Sequence, residues 1–580
     1  MTLDEAKTIR SIIDYYPNYK ILEDIHLEND EILMKVRITI DFHSTFVPKE
    51  SDWYIVFYSA KDIDFYPAKE KSISVTFPHQ AYNIDLSKYS YRSGKPCLDV
   101  PEHVLNLPDS YYPYNNNSLF SWYLERMLDW LKGATTNSLF KAGDPFEVPI
   151  TEFAKHELVY KEAGIADWSN YNYRAGYGTL RSWSNGSVDY YVLDKLYDKN
   201  EIDIRKVNWG DISKQFKTTN KKSIWVRCNN FPIEEPWQYP KTWEKLLNIC
   251  KSQNVDLFHI ICSLLWKDDK YKRNDFYLLL ACPIPKKHGE ENESYYWIMC
   301  DIPTLTFPRN GFRKNKDGFK TYLKNVIRVP ISWHKTNNWD DIAIRTRGMV
   351  QKEFRELSYA IIGAGALGGF VCELLSRQGI GNFKIIDGDK LQIGNLSRHV
   401  LTLESIGKNK AKAMADKLAL NSPSVKVEFK ENNLNKDNIS FLDDCDVIID
   451  CTGDNDVIDI LSLCEFETPK HIYIGAFTYG AKGFSFYKQY ARAISSDLFT
   501  EKTSDFYKKY VKDIKEEELT MEGIGCYHPV FPALDSDVNL WSSIFVKEIV
   551  KDLENPVTGI MKAFEQSDNG AIEISIDETF

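Results

Sequence analysis

Strand and helix alternate regularly after Tyr359, and this alternation restricts the possible folds of the chain more than any other feature. The order is YAIIG, a helix to Gln378, FKIID, a helical pattern through ESIGKNKAKAMADKLALN, VKVEF, DVIIDC, a helical pattern through DVIDILSLCE, and HIYIG. Ile-rich and Val-rich strands separated by helices predict a doubly wound, mostly parallel, Rossmann-like sheet with its ligand at the C-terminal ends of the strands. The first strand runs straight into GAGALG, which holds Gly363, Gly365 and Gly368. Glycine is needed where the backbone turns sharply and where phosphate oxygens approach the main chain, and the N-terminus of the next helix adds partial positive charge. Asp387 ends the following strand, 24 residues after Gly363, where an acidic side chain can hold a ribose hydroxyl. Up to this point a nicotinamide dehydrogenase and a triphosphate-using enzyme fit equally well.

The segment DGDKLQIGNLSRHVLTLESIGKNKA separates the two. Asn395 and Arg398 are followed by Lys410, so polar and cationic groups converge beyond the ribose site, where a triphosphate needs its charge neutralised. The strand DVIIDC then runs into TGDN, leaving Asp454 at a strand end, where a carboxylate can hold magnesium or orient a reacting group.

In these residues, from about Tyr359 to Leu553, the chain resembles the adenylating domain of ubiquitin-activating and ThiF-type enzymes. The shared pattern is the glycine loop, Asp387 with Asp389, Asn395-Leu396-Ser397-Arg398, Lys410, and Asp450-Cys451-Thr452-Gly453-Asp454-Asn455. Gly453 is an insertion relative to the commonest form. The resemblance implies ATP and Mg2+ as cofactors and a C-terminal carboxylate that attacks ATP with loss of pyrophosphate. It also implies a homodimer in which an arginine upstream of the first strand reaches the partner's ATP, with Arg345, Arg347 and Arg355 as candidates. Farther on, Cys526 in GIGCYHPVFPALDSD follows a glycine and precedes a Pro-containing turn and a helical pattern. That placement near a helix N-terminus favours thiolate. The resemblance makes Cys526 the thioester cysteine; His528 nearby either tunes that site or serves only the turn.

The N-terminal part reads as an α+β unit. A helix from Leu3 to about Tyr15 precedes a meander of ILMKVRITI, DWYIVFY and KSISVTF, and LFSWYLERMLDWLKG forms a second helix ending at Gly133. Cys97 lies in the loop YRSGKPCLDV. Across Leu3 to Gly133 this order resembles ubiquitin-conjugating enzymes, whose active cysteine also precedes Leu-Asp; Pro78-His79 and Asn83 echo that family's His-Pro-Asn motif. The middle of the chain mixes strands (SIWVR, FYLLLACPI, YYWIMCDI) with the helix TWEKLLNICKSQ and is rich in Trp and Tyr, which suits a structural or partner-docking role. The expected architecture is multidomain α/β: a conjugating-like domain at 1–134, a middle α+β domain at 135–345 and the adenylating domain at 346–580.

Taken together, the three parts resemble the fused activating and conjugating enzymes of bacterial CBASS antiviral operons. The resemblance implies a cGAS-like nucleotidyltransferase as partner, its C-terminus adenylated, passed to Cys526 and then Cys97 as thioesters, and ligated to a target amine. The chemistry is consistent, since an adenylate is a mixed anhydride that acylates a thiol, and a thioester still acylates an amine.

Composition narrows the alternatives. A formal net charge of -11, with no block of Lys and Arg, argues against nucleic acid as partner. The N-terminus lacks a signal peptide's apolar core and no run reaches membrane-span length, so a cytoplasmic protein is expected. Eleven cysteines without a CxxC pair indicate neither a zinc clasp nor a disulfide framework. Two competing readings are a ThiF-like activator of a sulfur carrier, which would not need Cys97, and a nucleotide-binding scaffold, which would not need Arg398, Lys410 and Asp454 together.

Overall fold

The computed structural model describes residues 2–59, 62–99, 116–168, 173–267, 276–303, 316–511, 521–522, 528–529, 532–567 and 569–580. The chain divides into two units, one of Met1–Val207 with Lys217–Asn337 and one of Asn208–Phe216 with Asn338–Phe580.

The first unit opens with helix Leu3–Arg10, capped by Thr2, whose hydroxyl accepts the Glu5 N–H while Glu5 reaches back to the Thr2 N–H. Strands β1 (Tyr19–Glu28), β2 (Glu31–Thr39), β3 (Glu50–Ser59) and β4 (Asp62–Pro67) follow as an antiparallel meander in chain order. Helix Asn116–Thr136 covers one face of it. Phe120, Leu124, Met127 and Leu131 are fully buried at helical spacing, and Phe120 packs on Phe57 as Trp130 packs edge-on against Trp53. One expectation is corrected here: KSISVTF is not a strand, and the fourth strand is DIDFYP. The carbonyls of Ile73 and Val75 accept from the Asn83 amide, so this stretch satisfies its backbone through a side chain instead of a ladder.

The same unit holds a second sheet of β5 (Ala154–Tyr160), β6 (Ala175–Ser184), β7 (Asp189–Tyr197), β8 (Asp203–Lys206), β9 (Lys217–Arg227), β10 (Phe276–Pro285), β11 (Asn292–Ile302) and β12 (Trp333–Asn338). Its order is β5-β12-β11-β10-β9-β6-β7-β8, and β5 also pairs with β7, so the sheet curls back on itself. Helices Trp243–Ser252 and Leu257–Lys267 make the crossover between parallel β9 and β10. The aromatic residues of this region are mostly core, with Trp225, Trp243 and Trp297 almost wholly buried.

The second unit carries β13 (Ser358–Ile362), β14 (Asn382–Ile386), β15 (Lys426–Lys430), β16 (Val447–Asp450), β17 (Lys470–Phe477), β18 (Gly483–Ala491), β19 (Met521–Glu522), β20 (His528–Pro529), β21 (Gly559–Gln566) and β22 (Ile572–Thr579). The main sheet runs β15-β14-β13-β16-β17-β18-β21-β22, parallel as far as β17 and antiparallel beyond it. Tyr359 and Ile361 face one core, while Ala360 and Ile362 face another, as a strand buried on both sides requires. The helix expected through ESIGKNKAKAMADKLALN begins only at Lys410, because Gly407 takes a φ of 79° and Asn409 caps the helix start. Among the described residues, no helix is long and apolar enough to cross a membrane.

The antiparallel half contains a buried ion pair. Lys488 on β18 is wholly buried, with Nζ 3.2 Å from Asp552 on helix Asp535–Glu554, and it also bonds the Val557 carbonyl. Tyr473 on β17 donates its hydroxyl to Asp552 at 2.6 Å. Asp552→Asn should strand the ammonium without a counter-charge and lower the stability of this unit by about 3–5 kcal/mol in denaturant unfolding. An unchanged midpoint would show that the ammonium is not truly desolvated.

Candidate active site

The glycine loop follows β13, and its three glycines are required for different reasons. Gly363 has a φ of 83°, and a Cβ there would lie 2.8 Å from Cγ2 of Thr452. A Cβ on Gly368 would lie 1.9 Å from the Gly363 carbonyl oxygen. At Gly365, by contrast, a Cβ would meet no protein atom within 4 Å. Gly365 is the N-cap of helix Ala366–Arg377 and provides no side-chain cap. An uncapped helix N-terminus bordered by open space is suited to a phosphate.

Ala364, inside the loop, is gripped from both sides. Its N–H donates to Oδ2 of Asp387 at 2.7 Å, and its carbonyl accepts from Nε2 of His399 at 2.8 Å. Nδ1 of His399 accepts the Leu401 N–H at 3.1 Å, so the ring is the neutral Nε2–H tautomer; burial also pushes its pKa down. The other oxygen of Asp387 accepts the Asp389 N–H at 2.8 Å, and burial raises this carboxyl. The structure therefore places Asp387 as a clamp on the loop.

Asp389 presents the exposed carboxylate, with 70% of its side chain accessible and Lys410 Nζ 2.9 Å away. Lys410 opens helix Lys410–Leu418, and Asn409 donates to the carbonyls of Asp387 and Asp389 at 2.7 and 3.2 Å. Asn395 accepts the Gln392 N–H at 3.0 Å as part of a capping box on the turn Ile393–Arg398, which makes it a turn-former. Arg398 ends that turn, half-buried, one residue before His399. Sequence reasoning passed over His399 and Asn409. The signals were a histidine directly after Asn-Leu-Ser-Arg and an Asn one residue before Lys410.

Across the loop, β16 ends in Asp450, which is fully buried. Oδ1 accepts the N–H and hydroxyl of Thr452 at 2.9 and 2.7 Å, and Oδ2 has no partner among the described residues. Burial pushes this carboxyl up to about 6. Gly453 absorbs the insertion with a φ of 65° and open space around it. Asp454 then caps helix Asn455–Leu463, accepting the Asp456 N–H at 2.9 Å, and remains exposed. Thr452 borders Gly363, so this turn lies beside the glycine loop. Among the described residues, no group of three or more His, Cys, Asp or Glu could hold a metal ion. The single exposed carboxylate of Asp454 is compatible with magnesium, which commonly takes one or two carboxylates and completes its shell with phosphates and water.

The three upstream arginines differ. Arg345 is buried against Asp341 and the Ser376 carbonyl, and Arg355 lies under Gly379 with a buried Nε. Arg347 is exposed.

Of the two candidate thiols, Cys526 lies outside the described residues, between β19 and β20. Cys97 is exposed, and its N–H donates to the His79 carbonyl at 2.7 Å. Partial burial pushes the thiol up, against a hydrogen bond from the Asp99 backbone that lowers it, with the Asp99 and Glu147 charges adding to the rise. Asn83 cannot serve an oxyanion. Besides the two carbonyls it bonds, its Oδ1 accepts from Arg92 at 2.8 Å, and the side chain is buried under Gly94.

A family model described as the ThiF family matches residues 339–551, and one described as the Cap2 central linker domain matches residues 137–339. The chain is 31% identical over 558 residues to the ATP-dependent ubiquitin transferase-like protein Cap2 of Enterobacter hormaechei subsp. hoffmannii (strain UCI 50), across 91% of this chain and 90% of that one. It is 33% identical over 95 residues to ubiquitin-like modifier-activating enzyme 5 of Caenorhabditis elegans, across 16% of this chain and 23% of that protein. Among solved structures, E. coli MccB with AMPCPP and selenomethionine MccA aligns with a TM-score of 0.30 at 15% identity, across 46% of this chain and 70% of that one.

The orphan oxygen of Asp450 gives a stability prediction. Its folded pKa lies above the unfolded value of 3.8, so the ionised carboxylate opposes folding at neutral pH and relief comes as pH falls through about 6. Asp450→Asn should therefore stabilise this unit at pH 7.5, by at most about 3 kcal/mol, with the advantage shrinking toward pH 4 in unfolding titrations. A loss of stability at pH 7.5 would show that the charge is compensated.

Proposed function

Because the chain belongs to the family of ATP-dependent ubiquitin transferase-like Cap2 proteins, we propose that it adenylates the C-terminal carboxylate of a protein partner and passes the acyl group through two thioesters to a target amine. The chain is an ATP-using enzyme of the ubiquitin-activating type. The proposed partner is a cGAS-like nucleotidyltransferase, the setting is antiviral defence, and the working form is a homodimer. The proposed division is a conjugating-like domain at 1–134, a middle domain at 135–345 and the adenylating domain at 346–580.

The observation that carries the adenylation reading is the uncapped helix N-terminus at Gly365, bordered by open space and flanked by the Asp454 turn. Phosphates of ATP would lie there, with Asp389 toward the ribose and Arg398 and Lys410 neutralising charge. Magnesium would be held by Asp454 with the phosphates and would screen their charge. The partner's carboxylate then attacks the α-phosphorus, pyrophosphate leaves, and an acyl-adenylate forms. Asp387 and His399 contribute by holding Ala364, so the loop's N–H groups are aimed before ATP arrives. Arg347, exposed while Arg345 is locked inside, is the arginine proposed to reach the ATP of a second protomer.

Cys526 would attack the adenylate, and Cys97 would take the acyl group by exchange. Among the described cysteines, Cys97 is the exposed one, and the rest are buried or partly buried. This supports the conjugating reading over a sulfur-carrier activator.

Two experiments test these steps. Asp454→Ala should reduce partner-dependent ATP–pyrophosphate exchange at least ~10²-fold, and Arg347→Ala should reduce it less; full exchange in either variant would remove that residue from the site. Cys526→Ala should keep exchange but lose the reductant-sensitive adduct, whereas Cys97→Ala should let thioester accumulate on Cys526 while amide products disappear. Conjugate yield unaltered by Cys97→Ala would leave carrier activation as the better account.

A further inference from the structure

Beside Cys97 the structure assembles a histidine and a carboxylate that come from two different parts of the chain. His79 Nδ1 lies 3.1 Å from Oε2 of Glu147, and the His79 backbone N–H donates to both Glu147 oxygens at 3.2 and 3.3 Å. The His79 carbonyl accepts the N–H of Cys97 at 2.7 Å and the indole N–H of Trp130 at 3.3 Å. His79 therefore sits on the strip of backbone paired with the cysteine. It does so with a φ of 52°, a conformation that costs energy for a residue with a Cβ and persists only where its surroundings hold it.

Glu147 falls within the segment matched by the Cap2 central linker model, and that part of the chain fixes its position. Gly143 and Phe146 donate backbone N–H groups to His288 and Lys286, and His288 donates back to Asp144. These partners belong to the turn between β10 and β11. Phe140 stacks on the His288 ring with centroids 3.9 Å apart and meets the His79 ring edge-on at 5.5 Å. The β10–β11 turn thus holds the strap that carries Glu147 to His79.

We infer that His79, oriented by Glu147, accepts the proton of the target amine as that amine attacks the acyl thioester on Cys97. The inference rests on the reading of Cys97 as the transfer cysteine. The amine lone pair adds to the acyl carbon, the C–S bond breaks, and its electron pair leaves on the Cys97 sulfur. Nε2 of His79 takes the proton from nitrogen and returns it to sulfur, so an amide and a free thiol result. Glu147 bonds Nδ1 and thereby directs basicity to Nε2, as a carboxylate does in other acyl-transfer sites. It also raises the His79 pKa, with Asp144 acting in the same direction, Lys141 opposing, and His288 a further titrating neighbour. Because partial burial pushes the Cys97 thiol up, its thiolate is the poorer leaving group, and activation of the amine by a neighbouring base gains in value.

The test uses the full chain with Cys526→Ser. Cys97 is loaded by exchange with glycine benzyl thioester, background is read in Cys97→Ala, and discharge is followed by intact mass with free lysine or hydroxylamine as acceptor. The adduct of strongly basic lysine holds its proton tightly and needs a positioned base to lose it, whereas the more acidic adduct of weakly basic hydroxylamine gives its proton up to water. Two variants keep the loop folded: Glu147→Gln retains an acceptor for the His79 N–H, and His79→Asn suits the positive φ. Discharge to lysine should slow about 10-fold in Glu147→Gln and about 10²-fold in His79→Asn, while discharge to hydroxylamine stays within about 3-fold. In the parent, the lysine rate should rise with pH through the His79 titration, and Glu147→Gln should move that inflection to lower pH. Equal slowing with both acceptors would mean a purely structural role and overturn the inference, as would an unaltered lysine rate or an immobile inflection. Chemical loading bypasses ATP, so a failure of Cys97 to load from the adenylating domain would count against the transfer reading alone.

Discussion

The two hydrogen bonds on Ala364 are the constraint on which the geometry of the glycine loop depends. Asp387 at the end of β14 takes the N–H, and His399 takes the carbonyl. A glycine loop otherwise has many conformations to lose on binding. Held at its middle residue, it keeps the helix N-terminus at Gly365 open toward solvent. The clamp uses a carboxylate and an imidazole that burial has pushed toward their neutral forms. Asn409 then ties the carbonyls of Asp387 and Asp389 to the start of the helix carrying Lys410, so one buried network sets the position of the exposed Asp389 carboxylate and of the buried Lys410 that pairs with it.

The cost of such a site is visible at Asp450. Its Oδ2 is buried and unpartnered among the described residues, an arrangement that folding alone disfavours. The same carboxylate shapes the turn whose Thr452 lies against Gly363 and which leads on to Asp454. Destabilised buried carboxylates of this kind are retained more often at functional sites than elsewhere in a fold.

In the first unit, the middle region is more than a spacer. Its β10–β11 turn pairs with the 143–146 strap, and the strap's Glu147 meets His79. The Asn83 side chain is consumed by the Ile73 and Val75 carbonyls and by Arg92, and the carboxylate that meets His79 comes instead from this strap.

Much of this was legible in the sequence because it is local. Strand–helix alternation, the glycine spacing, Asp-x-Asp and the Cys97 loop depend on periodicity and short-range backbone demands, which a linear reading carries. What the sequence did not reveal are relations between distant residues. His399 and Ala364 are 35 positions apart and Glu147 and His79 are 68 apart, so neither pair leaves a local pattern. DIDFYP was passed over in favour of KSISVTF because strand propensity cannot register that the Asn83 amide would satisfy those carbonyls. The sequence by itself determined which groups were available: a Rossmann-like nucleotide fold, two thiols and their neighbours. Only the tertiary structure decided which carboxylate is buried and which exposed, and which histidine meets which partner, because desolvation and hydrogen-bond geometry exist only once the strands are paired.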